Sequence, residues 1–164
     1  MSSDLQVNWS WIVKFFENGR KRASYTFATV NSDGLPHVAP YASLVLNDNC
    51  SGFYSDVFPN QTSHNLLKNQ RICILAINMS RWYFFKGLFV GRFDHWPGIR
   101  LYGVVDKSRK ATDKELERWM KRVRPFKRLK GYSLLWGNVQ TVRDIHFTHF
   151  EPVHLGPMTQ HLTK

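Results

Sequence analysis

The chain has 164 residues and a formal net charge of +11, and 43% of its residues are hydrophobic. That length suits one domain with a hydrophobic core of its own, and two cysteines are too few for a disulfide framework. The longest apolar run in the predicted strands, 72–77, is far shorter than the ~20 residues of a membrane span. Since the N-terminus also lacks the pattern of a signal peptide, we predict a single domain, 1–164, of a cytoplasmic protein without a membrane span.

The N-terminal segment predicts a helix over about 10–18, followed by Gly19 as a stop signal. Next come a strand at 24–30 and a strand at 35–46, both rich in residues that favour pleated structure. Asp33-Gly34 between them is typical of a tight hairpin turn, because glycine adopts positive φ at no steric cost. The prolines of the second strand cannot donate to a neighbour, which predicts an edge strand or a bulge.

The middle of the chain alternates short strands with polar segments. A strand at 52–55, a short helix at 60–69 and an apolar strand at 72–77 are predicted in that order. The segment 79–96 follows and is unusually aromatic, which predicts either core or a subunit interface. A further strand is predicted at 99–105.

The basic charge is concentrated between residues 107 and 130, where eleven Lys and Arg stand against three acidic residues. Within it, 112–123 predicts an amphipathic helix with a capping box made by Thr112 and Glu115. Pro125 ends it, and 131–137 predicts a loop or short element before a last strand at 142–150. The helix is either a solvated face or a docking site for an anionic partner.

The order of these motifs resembles the pyridoxamine 5′-phosphate oxidase-like family of FMN-binding split barrels. The resemblance rests on Asp33-Gly34-Leu35-Pro36, Phe53-Tyr54-Ser55, Asn65-Leu66, Asn69-Gln70-Arg71-Ile72 and Arg100-Leu101-Tyr102-Gly103-Val104-Val105. It implies a mainly β or α+β fold, a six- to seven-stranded split β-barrel with two to three peripheral helices. It also implies a homodimer with FMN between two subunits and flavin-dependent redox chemistry on a small-molecule substrate.

The resemblance also implies where FMN would bind. The family's phosphate-binding Thr corresponds to Ser55, its Ser-Arg-Lys run to Asn60, Gln61 and Thr62, and its second-strand Arg and Lys to Ala39 and Leu44. The candidate cofactor residues are Ser55, Gln61, Thr62, Ser63 and His64 at the phosphate end, with Arg100, Trp136 and Arg143 toward the ring or the partner subunit. The missing cations predict weak FMN binding and argue against strict pyridoxamine-phosphate oxidation. No side chain stands out as a catalytic acid or base.

Three alternatives remain open at the level of sequence. The basic segment 107–130 could bind nucleic acid or another polyanion, because clustered cations neutralise phosphates. Some split-barrel relatives bind haem, although Thr62 stands where those relatives carry histidine. The barrel could also lack a cofactor altogether.

Overall fold

The computed structural model describes residues 3–20, 25–56, 60–137 and 139–163. Its helices are α1 (Ser3–Arg20), α2 (Gln61–Lys68), α3 (Arg81–Val90), α4 (Asp113–Val123) and α5 (Gly131–Trp136). Its strands are β1 (Tyr25–Val30), β2 (Pro36–Tyr41), β3 (Val45–Leu46), β4 (Ser51–Ser55), β5 (Arg71–Ile77), β6 (Gly98–Val105), β7 (Arg109–Lys110) and β8 (Thr141–Pro152). Within these ranges no helix is long and apolar enough to cross a bilayer.

The strands form one curled antiparallel sheet in the order β2-β1-β5-β6-β8-β4-β3, and β7 pairs with β8. The two ends of this order, β2 and β3, leave the barrel open between them, as a split barrel requires. The predicted split-barrel fold of α+β character is therefore confirmed. The described part of the chain contains five α-helices, more than the two to three predicted, because the aromatic segment and 131–136 both form helices.

The hairpin of β1 and β2 forms as its sequence predicts. Gly34 has φ of 81°, the left-handed conformation that the turn needs. Strand β2 pairs with β1 and is the first strand of the sheet order, so its prolines lie on an edge strand.

Helix α1 supplies one side of the main core. It begins well before the predicted 10–18, and Gly19 lies inside it rather than ending it. Its buried residues are Leu5, Trp9, Ile12 and Phe16, which pack in one cluster with Phe27 of β1 and Phe147 of β8. The indole Nε1 of Trp9 donates to the carbonyl of Asn47 at 2.7 Å. The predicted link 21–24, with the start of the first strand at Ser24, lies outside the described residues.

Helix α4 is held against the open edge of the sheet by arginines. Its predicted capping box is present, with Thr112 and Glu115 bonded reciprocally. Arg118 donates to the carbonyl of Leu46 at 3.1 Å, and Arg122 donates to that of Leu44 at 2.7 Å. These guanidinium groups therefore hold α4 beside β3, which places its buried Trp119 next to the ends of β2 and β4.

Candidate functional site

A cavity of about 220 Å³ opens between the sheet and the C-terminal helices. Its sheet wall comes from the chain around the ends of β2 and β4, and its other wall from α4 and α5. The lining residues are Pro40, Tyr41, Ala42, Ser43, Ser55, Asp56, Asn60, Trp119, Leu135 and Trp136. The aromatic walls favour an apolar or planar group, and the polar residues are concentrated at one end.

The polar end includes Asp56, which follows β4, and Asn60, which precedes α2. Asn60 caps α2 by accepting from the backbone N–H of Ser63 at 3.0 Å. The Asn60 amide also donates to the hydroxyl of Tyr41 at 2.8 Å, which joins the helix start to the end of β2. Asn65, one turn further, donates to the Thr29 hydroxyl at 3.0 Å and fixes α2 on β1. The floor of the cavity is therefore well ordered by hydrogen bonds.

Asp56, which lines the cavity, forms an ion pair with the buried Arg143. The guanidinium Nε lies 2.6 Å from Oδ2 of Asp56, and the two side chains are 6% and 8% exposed. The other carboxylate oxygen accepts from the Ser63 hydroxyl at 2.5 Å. Because both charges are buried and paired, the floor of the cavity presents little net charge.

Four buried polar atoms near this cavity have no hydrogen-bond partner within the described residues. They are the hydroxyls of Tyr54, Ser55 and Thr62 and the indole Nε1 of Trp119. Ser55 and Trp119 line the cavity itself, while Tyr54 precedes Ser55 and Thr62 lies two residues after Asn60. Buried polar groups are nearly always hydrogen-bonded, so the unsatisfied groups of Ser55 and Trp119 at the cavity indicate a missing ligand or ordered water.

These groups determine which chemistry the cavity can accept. Burial, and secondarily the neighbouring Asp56, raises the pKa of Tyr54, so its phenol stays protonated and can donate. An indole N–H only donates, and hydroxyls can do so. The free groups thus suit a ligand that offers several acceptor oxygens, such as a phosphate ester or a polyol. With Asp56 in the wall, however, a dianionic phosphate would be bound by neutral donors and not by free cations.

The structure brings some of the predicted cofactor residues together and leaves others apart. Ser55 and Trp136 face the same cavity, and Ser63 and Arg143 meet through Asp56. Thr62 is fully buried beside them. Of the eight predicted residues, only Ser55 and Trp136 line the cavity. Among the others, Gln61 is exposed and donates to Asn65 at 2.7 Å, His64 is exposed on α2, and Arg100 lies half-buried on β6.

Sequence reasoning missed Tyr41, Asp56, Asn60 and Trp119 as residues of this cavity. Asparagine is a favoured N-cap residue, and this signal could have placed Asn60 at the start of α2. Trp119 lies on the buried side of the amphipathic helix α4 and is 6% exposed. Nothing in the local sequence indicates that its N–H would lack a partner, because that depends on the packing of α4 against β2 and β4.

The basic helix is less free than its sequence predicts. Arg118 and Arg122 are engaged with backbone carbonyls, and Arg109 pairs with both Glu115 and Asp144. The hydrogen bonds from Arg109, together with those from Thr112, hold the pKa of Glu115 down at about 2. The other exposed cations of the segment include Lys107, Lys110, Lys114, Arg124 and those in 127–130.

Comparison with known proteins identifies the family. The model of the family described as pyridoxamine 5′-phosphate oxidase matches residues 14–146, and the chain belongs to that family. No curated protein sequence matches the chain significantly.

Solved structures give the same fold at low sequence identity. HupZ from Group A Streptococcus has a TM-score of 0.57 at 18% identity, covering 90% of this chain and 98% of that one. An FMN-binding protein from Syntrophomonas wolfei has a TM-score of 0.57 at 16% identity, covering 93% and 96%. HutZ, the heme storage protein from Vibrio cholerae, has a TM-score of 0.50 at 14% identity, covering 84% and 91%. At these identities the likeness concerns the fold alone.

Proposed function

We propose that the protein is a homodimeric flavoprotein that binds FMN weakly, with the phosphate end of the cofactor in the cavity beside Ser55. The observation that carries this proposal is the pair of unsatisfied buried donors at Ser55 and Trp119, two residues that line the cavity. Ser55 corresponds to the family's phosphate-binding position, and a phosphate and its ribityl chain supply the acceptor oxygens that these donors lack. The match to the family and the likeness to an FMN-binding protein support the same cofactor.

The size of the cavity supports a second subunit. A volume of about 220 Å³ is below the roughly 300–1,000 Å³ of complete small-molecule sites, so it suits the phosphate end and not a whole flavin. In the family that the sequence resembles, the cofactor lies between two subunits. A second copy would therefore complete the ring end of the site, and Trp136 is the residue of this chain best placed to meet that ring.

The proposed activity is oxidation or reduction of a small molecule. A bound flavin supplies the electron transfer in such proteins. The chain's part is to hold the phosphate end through Ser55 and Trp119 and to keep water out with the aromatic cavity walls. Arg143 stays paired with Asp56 and keeps the floor in place.

Titration of flavin fluorescence tests the cofactor. Ser55→Ala removes the serine hydroxyl, and Trp119→Phe removes the indole N–H while keeping an aromatic ring. We expect each to weaken FMN binding by about tenfold or more, because each loses a hydrogen bond to a charged group. Ser32→Ala in the exposed hairpin turn and Trp82→Phe on the surface are matched controls that should bind like the wild type. Absence of quenching in every variant and in the wild type would remove FMN from consideration.

Light scattering tests the assembly. We expect a dimer at micromolar concentration with excess FMN present. A monomer under those conditions would contradict the proposal that a second copy completes the site.

Haem handling is the second candidate, supported by the likeness to HutZ. The visible spectrum of the purified protein distinguishes the two, since a bound haem gives a Soret band and a bound flavin does not. A Soret band after haem addition that survives gel filtration, with no flavin retained under the same conditions, would favour haem.

A further inference from the structure

Helix α3 carries an apolar face that points away from the protein. Trp82, Phe85, Leu88 and Phe89 are between 66% and 94% exposed. Their spacing of three, four and seven residues puts them on one side of the helix. Surface apolar residues are usually scattered, so four large ones on one short helix indicate an interaction surface.

The apolar face points outward because the opposite side of α3 packs against the protein. Gly87 is buried against Phe93, where a Cβ on Gly87 would come within 2.3 Å of the Phe93 ring. Tyr83 stacks on the same ring at 4.9 Å and donates its hydroxyl to the carbonyl of His95 at 2.5 Å. Phe93 itself is tied by its backbone N–H to the carbonyl of Met158 at 3.0 Å. The helix therefore cannot rotate its apolar face inward without losing these contacts.

Cations surround the exposed face. Arg81 begins α3, Lys86 lies in its middle and Arg92 follows its end, and all three are exposed. The one acidic residue in 79–96 is Asp94, which pairs with Lys86 at 2.5 Å. Arg81 lies at the N-terminus of α3, which already carries the partial positive charge of the helix dipole. Its own charge therefore adds to the positive potential at this end of the helix.

From this geometry we infer that α3 docks the protein on an anionic lipid surface, with the four apolar side chains in the headgroup region and the arginines on the phosphates. Interfacial helices combine a Trp- and Phe-rich face with flanking Lys or Arg in this way. Tryptophan is favoured at that depth because its ring is apolar and its N–H remains able to bond. The inference concerns a face distinct from the cavity and does not depend on the proposed cofactor.

Charge decides against a second copy as the occupant. A two-fold pairing of α3 would bring Arg81, Lys86 and Arg92 of both copies to one interface, with one Asp94 each to offset them. Like charges across an interface cost free energy, whereas an anionic surface attracts the same groups. The net charge of +11 on the chain acts in the same direction.

Co-sedimentation with vesicles tests the inference on the full-length protein. We expect binding to vesicles of equal parts phosphatidylcholine and phosphatidylglycerol, and much weaker binding to phosphatidylcholine alone. The variant Phe85→Ser/Phe89→Ser should lower the partition coefficient by roughly a hundredfold, because two apolar side chains no longer enter the lipid. Arg81→Gln/Arg92→Gln should lower it by about tenfold or more on the anionic vesicles only.

Two controls separate this surface from other features. Leu35→Ser/Val38→Ser makes the same change of polarity at two exposed residues in and after the hairpin turn and should leave vesicle binding unchanged. Lys127→Glu/Arg128→Glu/Lys130→Glu removes exposed cations near α4 and should leave the effect of the α3 variants intact. All these substitutions are at exposed positions, so the melting temperatures should stay near that of the wild type.

Three results would overturn the inference. The first is equal sedimentation of the wild type with both kinds of vesicle. The second is wild-type binding by Phe85→Ser/Phe89→Ser, which would mean that general basic charge alone binds the lipid. The third is a change from dimer to monomer in that variant by light scattering, which would make α3 an interface between two copies.

Discussion

Arg143 and Asp56 form a buried ion pair, Nε to Oδ2 at 2.6 Å, and Asp56 lines the same cavity as Ser55. The pair joins β8 to the residue that follows β4, and the carboxylate also accepts from Ser63 at 2.5 Å. The negative charge of Asp56 would repel an anionic ligand bound in this cavity. The balance between Asp56 and Arg143 should therefore set how strongly the cavity holds a phosphate.

Asp56→Asn tests that balance. We expect FMN affinity to rise about tenfold or more, because the repulsion between the carboxylate and the phosphate disappears. The protein without ligand should lose about 3–5 kcal/mol of stability, since Arg143 is left buried and unpaired. Flavin fluorescence and thermal unfolding with and without FMN measure both effects. Asp33→Asn in the exposed turn is the control, and an unchanged FMN affinity in Asp56→Asn would mean that the carboxylate does not face the ligand.

Thr62→Val separates ligand binding from stability. The Thr62 hydroxyl is fully buried without a partner, so an isosteric methyl should raise stability by about 1 kcal/mol in the protein without ligand. The same change should weaken FMN binding if the hydroxyl contacts the cofactor. Urea unfolding and flavin titration provide the two readouts. Thr29→Val is the matched control, and it should be destabilising because the Thr29 hydroxyl accepts from Asn65 at 3.0 Å. A destabilised Thr62→Val would instead reveal a partner such as an ordered water.

Glu115→Gln tests how the free energy of unfolding depends on pH in the acid range. The pKa of Glu115 is held at about 2, below its ordinary value of 4.5, chiefly by hydrogen bonds from Arg109. A lowered pKa means that this carboxylate stabilises the fold above about pH 4.5 and that its contribution disappears as the pH falls from 4.5 toward 2. We expect Glu115→Gln to cost about 1–3 kcal/mol near neutral pH, and the difference from the wild type to vanish near the bottom of that range. Urea unfolding across the range measures it. Glu117→Gln, in an exposed pair with Lys121, should change little at any pH.

Substitutions in and after α4 should separate polyanion binding from structure. Lys127→Glu/Arg128→Glu/Lys130→Glu alters exposed cations, so any retention on DNA or RNA should be lost while the melting temperature stays the same. Arg118→Gln/Arg122→Gln should instead lower the melting temperature, because these side chains bond the carbonyls of Leu46 and Leu44. Retention should fall steeply with salt if phosphates are bound. If the wild-type protein shows no salt-sensitive retention on DNA or RNA, the basic segment 107–130 is a solvated face and not a polyanion-binding site.

The sequence determined the local features of this protein. The turn at Gly34, the capping box at Thr112 and Glu115, and the strand and helix order depend on residues a few positions apart, so their signals can be read along the chain. The order of motifs also sufficed to identify the split barrel and its family. The N-terminal helix was predicted too short, because its polar first turns carry a weak periodic signal and are stabilised by packing of Leu5 and Trp9 in the core.

Only the tertiary structure decided how the site is made. Asp56 meets Arg143 across 87 positions of sequence, and the pairing follows from the register of β4 on β8. The indole N–H of Trp119 has no hydrogen-bond partner because α4 packs over the ends of β2 and β4. Arg118 is engaged because its guanidinium donates to the carbonyl of Leu46 in the edge strand β3. Likewise, the apolar residues Trp82, Phe85, Leu88 and Phe89 are exposed because α3 packs on Phe93 through Gly87 and presents its opposite side to solvent. Such contacts join residues far apart in the chain, so they depend on how elements pack and not on the pattern within any one of them.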